Sequence, residues 1–89
     1  MTVSVNHDYP HVGDMAVVSP SGVAVEGVEI RIFELEKFLA GDTSTWVAHT
    51  TTDANGEWVD TFDLDDGRSW AVHFQKLNEF GPEHREITT

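Results

Sequence analysis

Two short runs in this chain place apolar side chains at every second residue. Val28, Ile30 and Ile32 alternate with Glu29 and Arg31, and Trp70, Val72 and Phe74 alternate with Ala71, His73 and Gln75. A period of two is the period of a strand that is dry on one face and wet on the other. One half-buried sheet needs a second layer to cover it. The chain therefore reads as a layered β structure, with Trp58, Trp70, Val72 and Phe74 expected to share one interior.

The rest of the chain fits the same scheme. Met15–Ser19, MAVVS, is a short β-branched run stopped by the turn formers Ser19–Gly22. Val23 and Val25 share a phase that slips at Gly27, which predicts a bulge or tight bend there. Glu34–Ala40, ELEKFLA, breaks the alternation. Leu35, Phe38 and Leu39 fall at helical spacing, so a short helix closed by Gly41 is expected, its apolar face read as core. Thr45–Thr52 suits a pleated surface. Asp53–Gly56, DANG, supplies a hairpin turn through Asn-Gly. Glu57–Leu64 returns as a strand, although Asp60 shares the phase of Trp58, Phe62 and Leu64. Asp65–Arg68 and Leu77–Pro82 read as two further turns, and HREIT at the end as an edge strand.

The expected fold is all-β: an antiparallel Greek-key sandwich of about seven strands, immunoglobulin-like in type, with one short helix near residues 34–40. The chain of 89 residues suits a single domain over residues 14–89. A chain this size buries about 60–65 % of its unfolded surface, so large aromatics matter, and three Trp and five Phe are present. Residues 1–13 carry His7, Asp8, Tyr9, Pro10 and Gly13 without a clear period, and read as an N-terminal arm.

Charge narrows the partners. Sixteen acidic residues against five basic ones give a formal net charge of −11. Such a surface repels nucleic acid, whose binding needs Lys and Arg, and repels anionic membranes. No apolar run approaches the roughly 20 residues of a membrane span, and the N-terminus lacks the features of a signal peptide. The expectation is a protein that stays in the cytoplasm or enters an assembly there. With no Cys, no disulfide framework or thiolate zinc site is available.

Candidate chemistry is sparse. His7 and His11 are four apart, but Pro10 argues against the helix that would pair them. His49 and His73 lie on expected strands and would meet only if those strands were neighbours. The carboxylates of Phe62–Gly67 and Thr52–Glu57 lack the ligand series of a calcium loop and suit turns instead. None of the serines Ser4, Ser19, Ser21, Ser44 and Ser69 sits in a Gly-x-Ser-x-Gly elbow, and there is no phosphate-binding glycine loop. No catalytic residue, metal ligand or cofactor is assigned. The stronger candidates are contact residues: Tyr9 and Pro10 in the arm, Leu77 and Phe80 in the last turn. An alternative is a carbohydrate- or ligand-binding module using Trp46, Trp58 or Trp70 as a stacking platform.

Three local patterns carry a resemblance. Ser21–Ile30, SGVAVEGVEI, is similar to the G-x-P-V-x-G-a-x-V opening of carboxypeptidase-regulatory-like domains, with Ala24 where the family usually has Pro. Thr51–Trp58, TTDANGEW, resembles their T-D-x-x-G-x-F hairpin, and Trp70–Phe74, WAVHF, their Y-x-V-x-F strand. These domains are transthyretin-like (prealbumin-like) sandwiches, and the resemblance spans residues 14–76. It implies a non-enzymatic accessory role with protein partners, either further copies of the chain or a larger lattice. By analogy it suggests a virion accessory or decoration protein of a tailed bacteriophage. The enzymatic branch of the family, the hydroxyisourate hydrolases, carries a C-terminal Tyr-Arg-Gly-Ser signature that this chain lacks.

Overall fold

A computed structural model describes all residues, 1–89. In chain order the elements are β1 (Thr2–Val5), β2 (Glu29–Glu34), α1 (Leu35–Leu39), β3 (Ala48–Thr51), β4 (Phe62–Asp65), β5 (Ser69–Lys76) and β6 (Phe80–Thr88). They form two antiparallel sheets, β1–β4 and β3–β2–β5–β6. The fold is an all-β sandwich with six strands, one fewer than the spacing of turn residues predicts.

The alternation works as the sequence requires. Ile30 and Ile32 of β2 lie opposite Phe74 and Val72 of β5, and Trp70 lies opposite Ile87 of β6. All six are buried, together with Val5, Leu64, Trp58, Met15, Val17 and Val28, in one cluster between the sheets. Each buried indole satisfies its N–H: Trp58 Nε1 donates to the Met15 carbonyl at 3.0 Å, and Trp70 Nε1 to Thr89 Oγ1 at 3.0 Å. Those bonds remove the cost of taking a donor out of water.

Residues 1–13 do not stand off as a free arm. Thr2–Val5 is β1, paired with β4 in the register Val3 to Leu64 and Val5 to Phe62, and Val5 is fully buried. The Val-Ser-Val alternation is only four residues long and is followed by turn formers, which hides it in the sequence. Tyr9 is half-buried against the core, and its hydroxyl donates to the Thr88 carbonyl at 2.6 Å. Met1 and Thr89 come to one place, because the Met1 carbonyl accepts from Asp66 N and Thr89 N donates to the Arg68 carbonyl.

Met15–Ser19, expected as a short strand, joins no ladder, and the following strand begins only at Glu29 rather than at Val23. Met15 and Val17 are buried, but they bond to the neighbouring loops rather than to a sheet: Met15 N to the His7 carbonyl, Val17 N to the Gly56 carbonyl. Only one bridge, Val18 to Ala24, crosses the Ser-Pro-Ser-Gly turn. The return strand is also shorter than expected. Trp58 makes a single bridge to Thr52, and Asp60 turns aside to accept from Thr50 Oγ1 at 2.8 Å. At the other end, β6 begins at Phe80, inside the expected turn, so that turn is confined to Leu77–Glu79.

The Asp53–Gly56 turn forms, by a different geometry from the one Asn-Gly suggests. Gly56 alone has a positive φ, +72°. Gly56 N bonds to the Asp53 carbonyl, and Asp53 N to the Glu57 carbonyl, a type I turn followed by one left-handed residue. Asp53 Oδ1 accepts from Asn55 N and Glu57 N. A Cβ at Gly56 would collide with the Val17 carbonyl oxygen, so this position combines a turn with a close backbone approach.

Candidate functional site

Alternation also decides what the four-stranded sheet shows to solvent. On the face away from the core, the register lines up His49 of β3, Arg31 of β2, His73 of β5 and His84 of β6 in one transverse row. Directly opposed residues on neighbouring strands have Cβ atoms about 5 Å apart, so this is a continuous ridge. His49 and His73 are not neighbours, since β2 intervenes and Arg31 occupies the position between them. No group of three or more His, Asp and Glu residues is arranged to hold a metal ion.

Aromatic rings flank the row at both ends. Arg31 stacks its guanidinium 4.9 Å from the centre of the Trp46 ring, and Trp46 lies 6.2 Å from His49. At the other end, Phe38 of α1 lies 4.9 Å from His84, 6.2 Å from His73 and 5.4 Å from Phe33. Phe33 meets His73 edge-on at 6.5 Å. Trp46 is 44 % exposed, whereas Trp58 and Trp70 are 4 % and 3 % exposed. Of the three tryptophans considered as a stacking platform, Trp46 alone is open.

Electrostatics set the row apart from the rest of the surface. Within it, Arg31 is the one permanent charge. Its Nη2 pairs with Glu29 at 3.1 Å, and its Nε is buried with no acceptor. Burial pushes the His73 imidazole below its ordinary value, and the positive fields of Arg31 and His84 push the same way. His84 has Glu86 at 3.9 Å; no ion pair reaches His73. The loop that presents Trp46 is held by Asp42, which accepts from Ser44 and Thr45 backbone N–H groups at 3.0 and 3.2 Å and from both hydroxyls. The Thr45 hydroxyl and then the Ser44 amide hold this carboxyl down at about 2.

The four contact residues named from sequence fall elsewhere. Tyr9 and Pro10 line a shallow cleft of about 270 Å³ with Arg85–Thr88, near the end of β6. Leu77 and Phe80 lie towards the other end of β6, at the β5–β6 turn. Leu77 is 78 % exposed. Phe80 is half-buried and lines a cleft of about 330 Å³ with Met15, Val17, Phe74, Glu83 and Arg85. The fold does not bring the four together. Among the remaining histidines, His11 is exposed, and His7 accepts the Trp58 backbone N–H on Nδ1 at 3.2 Å, a bond that ties residues 7–15 to the hairpin.

The row is hidden in the sequence because residues 31, 49, 73 and 84 have no regular spacing. The available signal was that Arg31, His49 and His73 each occupy the wet phase of a strand. Compared with known proteins, the chain matches no family model, no curated protein and no solved structure. No helix is long and apolar enough to cross a membrane.

Proposed function

We propose that this chain is a non-enzymatic interaction protein that docks a protein partner through the outer face of its four-stranded sheet. The carrying observation is the Arg31–Trp46 stack at the end of a row that, in a chain of net charge −11, contains no carboxylate. Wet sheet positions usually take Thr, Lys or Glu. Arg, Trp and other aromatic residues are the types that concentrate binding energy at interfaces. The fitting partner offers a carboxylate to the Arg31 guanidinium and an apolar side chain to the open Trp46 ring. The setting of a virion accessory or decoration protein is drawn from the sequence resemblance and supplies the first particles to try.

The test is capture from extracts of the producing cells, and from particles purified from them, by the wild-type chain and by folded Trp46→Ala and Arg31→Ala variants. Loss of the same captured protein with both variants, and its retention by Pro10→Ala and Leu77→Ser, supports the sheet face. Unchanged capture by Trp46→Ala and Arg31→Ala overturns it. A ligand-binding module is the second reading, favoured by the openness of Trp46. It is decided by whether the Trp46 indole N–H resonance shifts with oligosaccharides.

A further inference from the structure

α1 is a weakly supported helix. It has five residues, none of them buried, and no side chain caps its N-terminus. A helix this short does not stand without tertiary support. Part of that support is the Phe38 ring, which lies on Phe33, His73 and His84. The remainder is local: Lys37 pairs with Glu34 at 3.7 Å, and the amides of Ala40, Gly41 and Asp42 close the C-terminal turn on the carbonyls of Glu36, Phe38 and Lys37.

We propose that the outer face is a proton-operated switch, in which protonation of His73 lifts Phe38 and frees α1 from the sheet. This rests on the reading of that face as the docking surface and names its regulation. The charges around His73 give the direction. Arg31 stands opposite it on β2 and His84 opposite it on β6, with His49 beyond Arg31 on β3. The nearby carboxylates are committed elsewhere: Glu29 to Arg31, Glu86 to His84, and Glu34 to Arg68 and Lys37. On α1 itself, Glu36 is exposed and Lys37 adds a further positive charge. A proton on His73 therefore places a cation directly opposite Arg31, with no carboxylate paired to it.

His73 is half-buried, and an imidazolium there needs fuller hydration than the neighbouring Phe33 and Phe38 rings leave it. Phe33 is 2 % exposed and is fixed in β2, whereas Phe38 is carried by the short helix. Hydration of His73 proceeds by displacing the less firmly held ring. In the neutral state the face presents aromatic and uncharged imidazole groups beside one arginine. In the protonated state it presents a cationic stripe, and α1 is loose beside it.

The experiment follows amide exchange at Ala40, Gly41 and Asp42, together with the imidazole resonances of His73 and His84, in the full chain with no partner present. Corrected for the intrinsic rate, exchange at the three amides rises between pH 7.5 and pH 5. The rise follows the His73 titration and is absent from the His73→Gln, His84→Gln double variant. Protection that is unchanged with pH in the wild-type chain, or an equal rise in the double variant, overturns the proposal. Phe38→Ala provides a reference in which these amides exchange fast at every pH. Partner capture at pH 7.5 is a separate measurement. Capture with a pH-insensitive α1 sinks the switch alone, and a working switch with no partner at any pH sinks the docking reading alone.

Discussion

The two outer faces of the sandwich are built by the same rule and used differently. On the two-stranded sheet, the wet positions of β1 and β4 are Thr2, Ser4, Asp63 and Asp65, all exposed, with Ser4 Oγ donating to Asp63 at 3.2 Å. On the four-stranded sheet, one row of the equivalent positions carries His49, Arg31, His73 and His84, with Trp46, Phe33 and Phe38 around them and Glu29, Thr51, Gln75 and Glu86 in the flanking rows. Hydroxyls and carboxylates are what a solvated face needs to stay wet. Imidazoles, a stacked guanidinium and an open indole exceed that need. Alternation determines which side faces water, and the departure from ordinary wet residues distinguishes a face that binds from one that only dissolves.

The comparison breaks most completely if the core beneath both faces is cut. Trp58→Ala removes a 4 %-exposed ring that contacts Phe62 of the small sheet at 6.5 Å and Phe74 of the large one at 6.3 Å. The expected loss is about 3–5 kcal/mol, read as a lower denaturant midpoint. Both faces lose protection together, and separate transitions for the two sheets would show that they do not share one core.

Phe38→Ala sharpens the contrast by acting on one face. It removes the ring contacts with Phe33, His73 and His84, and the expected loss is about 1 kcal/mol. Amide shifts should move in α1, β5 and β6 and remain still in β1 and β4. A smaller effect comes from acid. The folded-state pKa of His73 is lowered by burial first, then by Arg31 and His84, so the unfolded chain takes up that proton more readily. This contribution to stability is fully present above the ordinary imidazole value of 6.5 and is lost as pH falls through the lowered value. His73→Gln should flatten that part of the stability–pH curve. Asp42 behaves oppositely in range: its carboxylate clasp persists from neutral pH down through 3.8 and opens only towards about 2. The Thr45 amide resonance should therefore stay fixed between pH 7 and pH 4.5, while the His73 signals move. The smallest effect is expected on the solvated face, where Asp63→Asn should change stability by less than about 0.5 kcal/mol and leave partner capture unaltered.

Much of this architecture is legible in the sequence where a segment is long and strictly periodic. β2 and β5 follow from their alternation, and the burial of Trp58, Trp70, Val72 and Phe74 follows with them. The helix near residues 34–40 follows from the break in that alternation, although its face of Leu35, Phe38 and Leu39 is not core: none of its residues is buried, and Leu39 is 66 % exposed. β1 is not legible, since four residues followed by His, Asp, Tyr and Pro look like a loop until β4 is present to pair with them. Met15–Val25 misleads in the opposite sense: Met15 and Val17 are buried against loops rather than in a ladder, and Val18 and Val23 are exposed. The histidine–arginine row is illegible for a deeper reason. It exists only once strand order and register are known, and both are set by contacts between residues far apart in the chain.

The meeting of Met1 and Thr89 at the Asp65–Arg68 turn has a practical consequence. The distance between the ends is short enough for a brief linker to close the chain into a ring, or for new ends to be opened at the exposed Leu77–Glu79 turn. Loop-closure entropy grows slowly with linker length, so such a permuted chain should fold with little penalty. A cargo fused at either original end would emerge from the same pole of the sandwich.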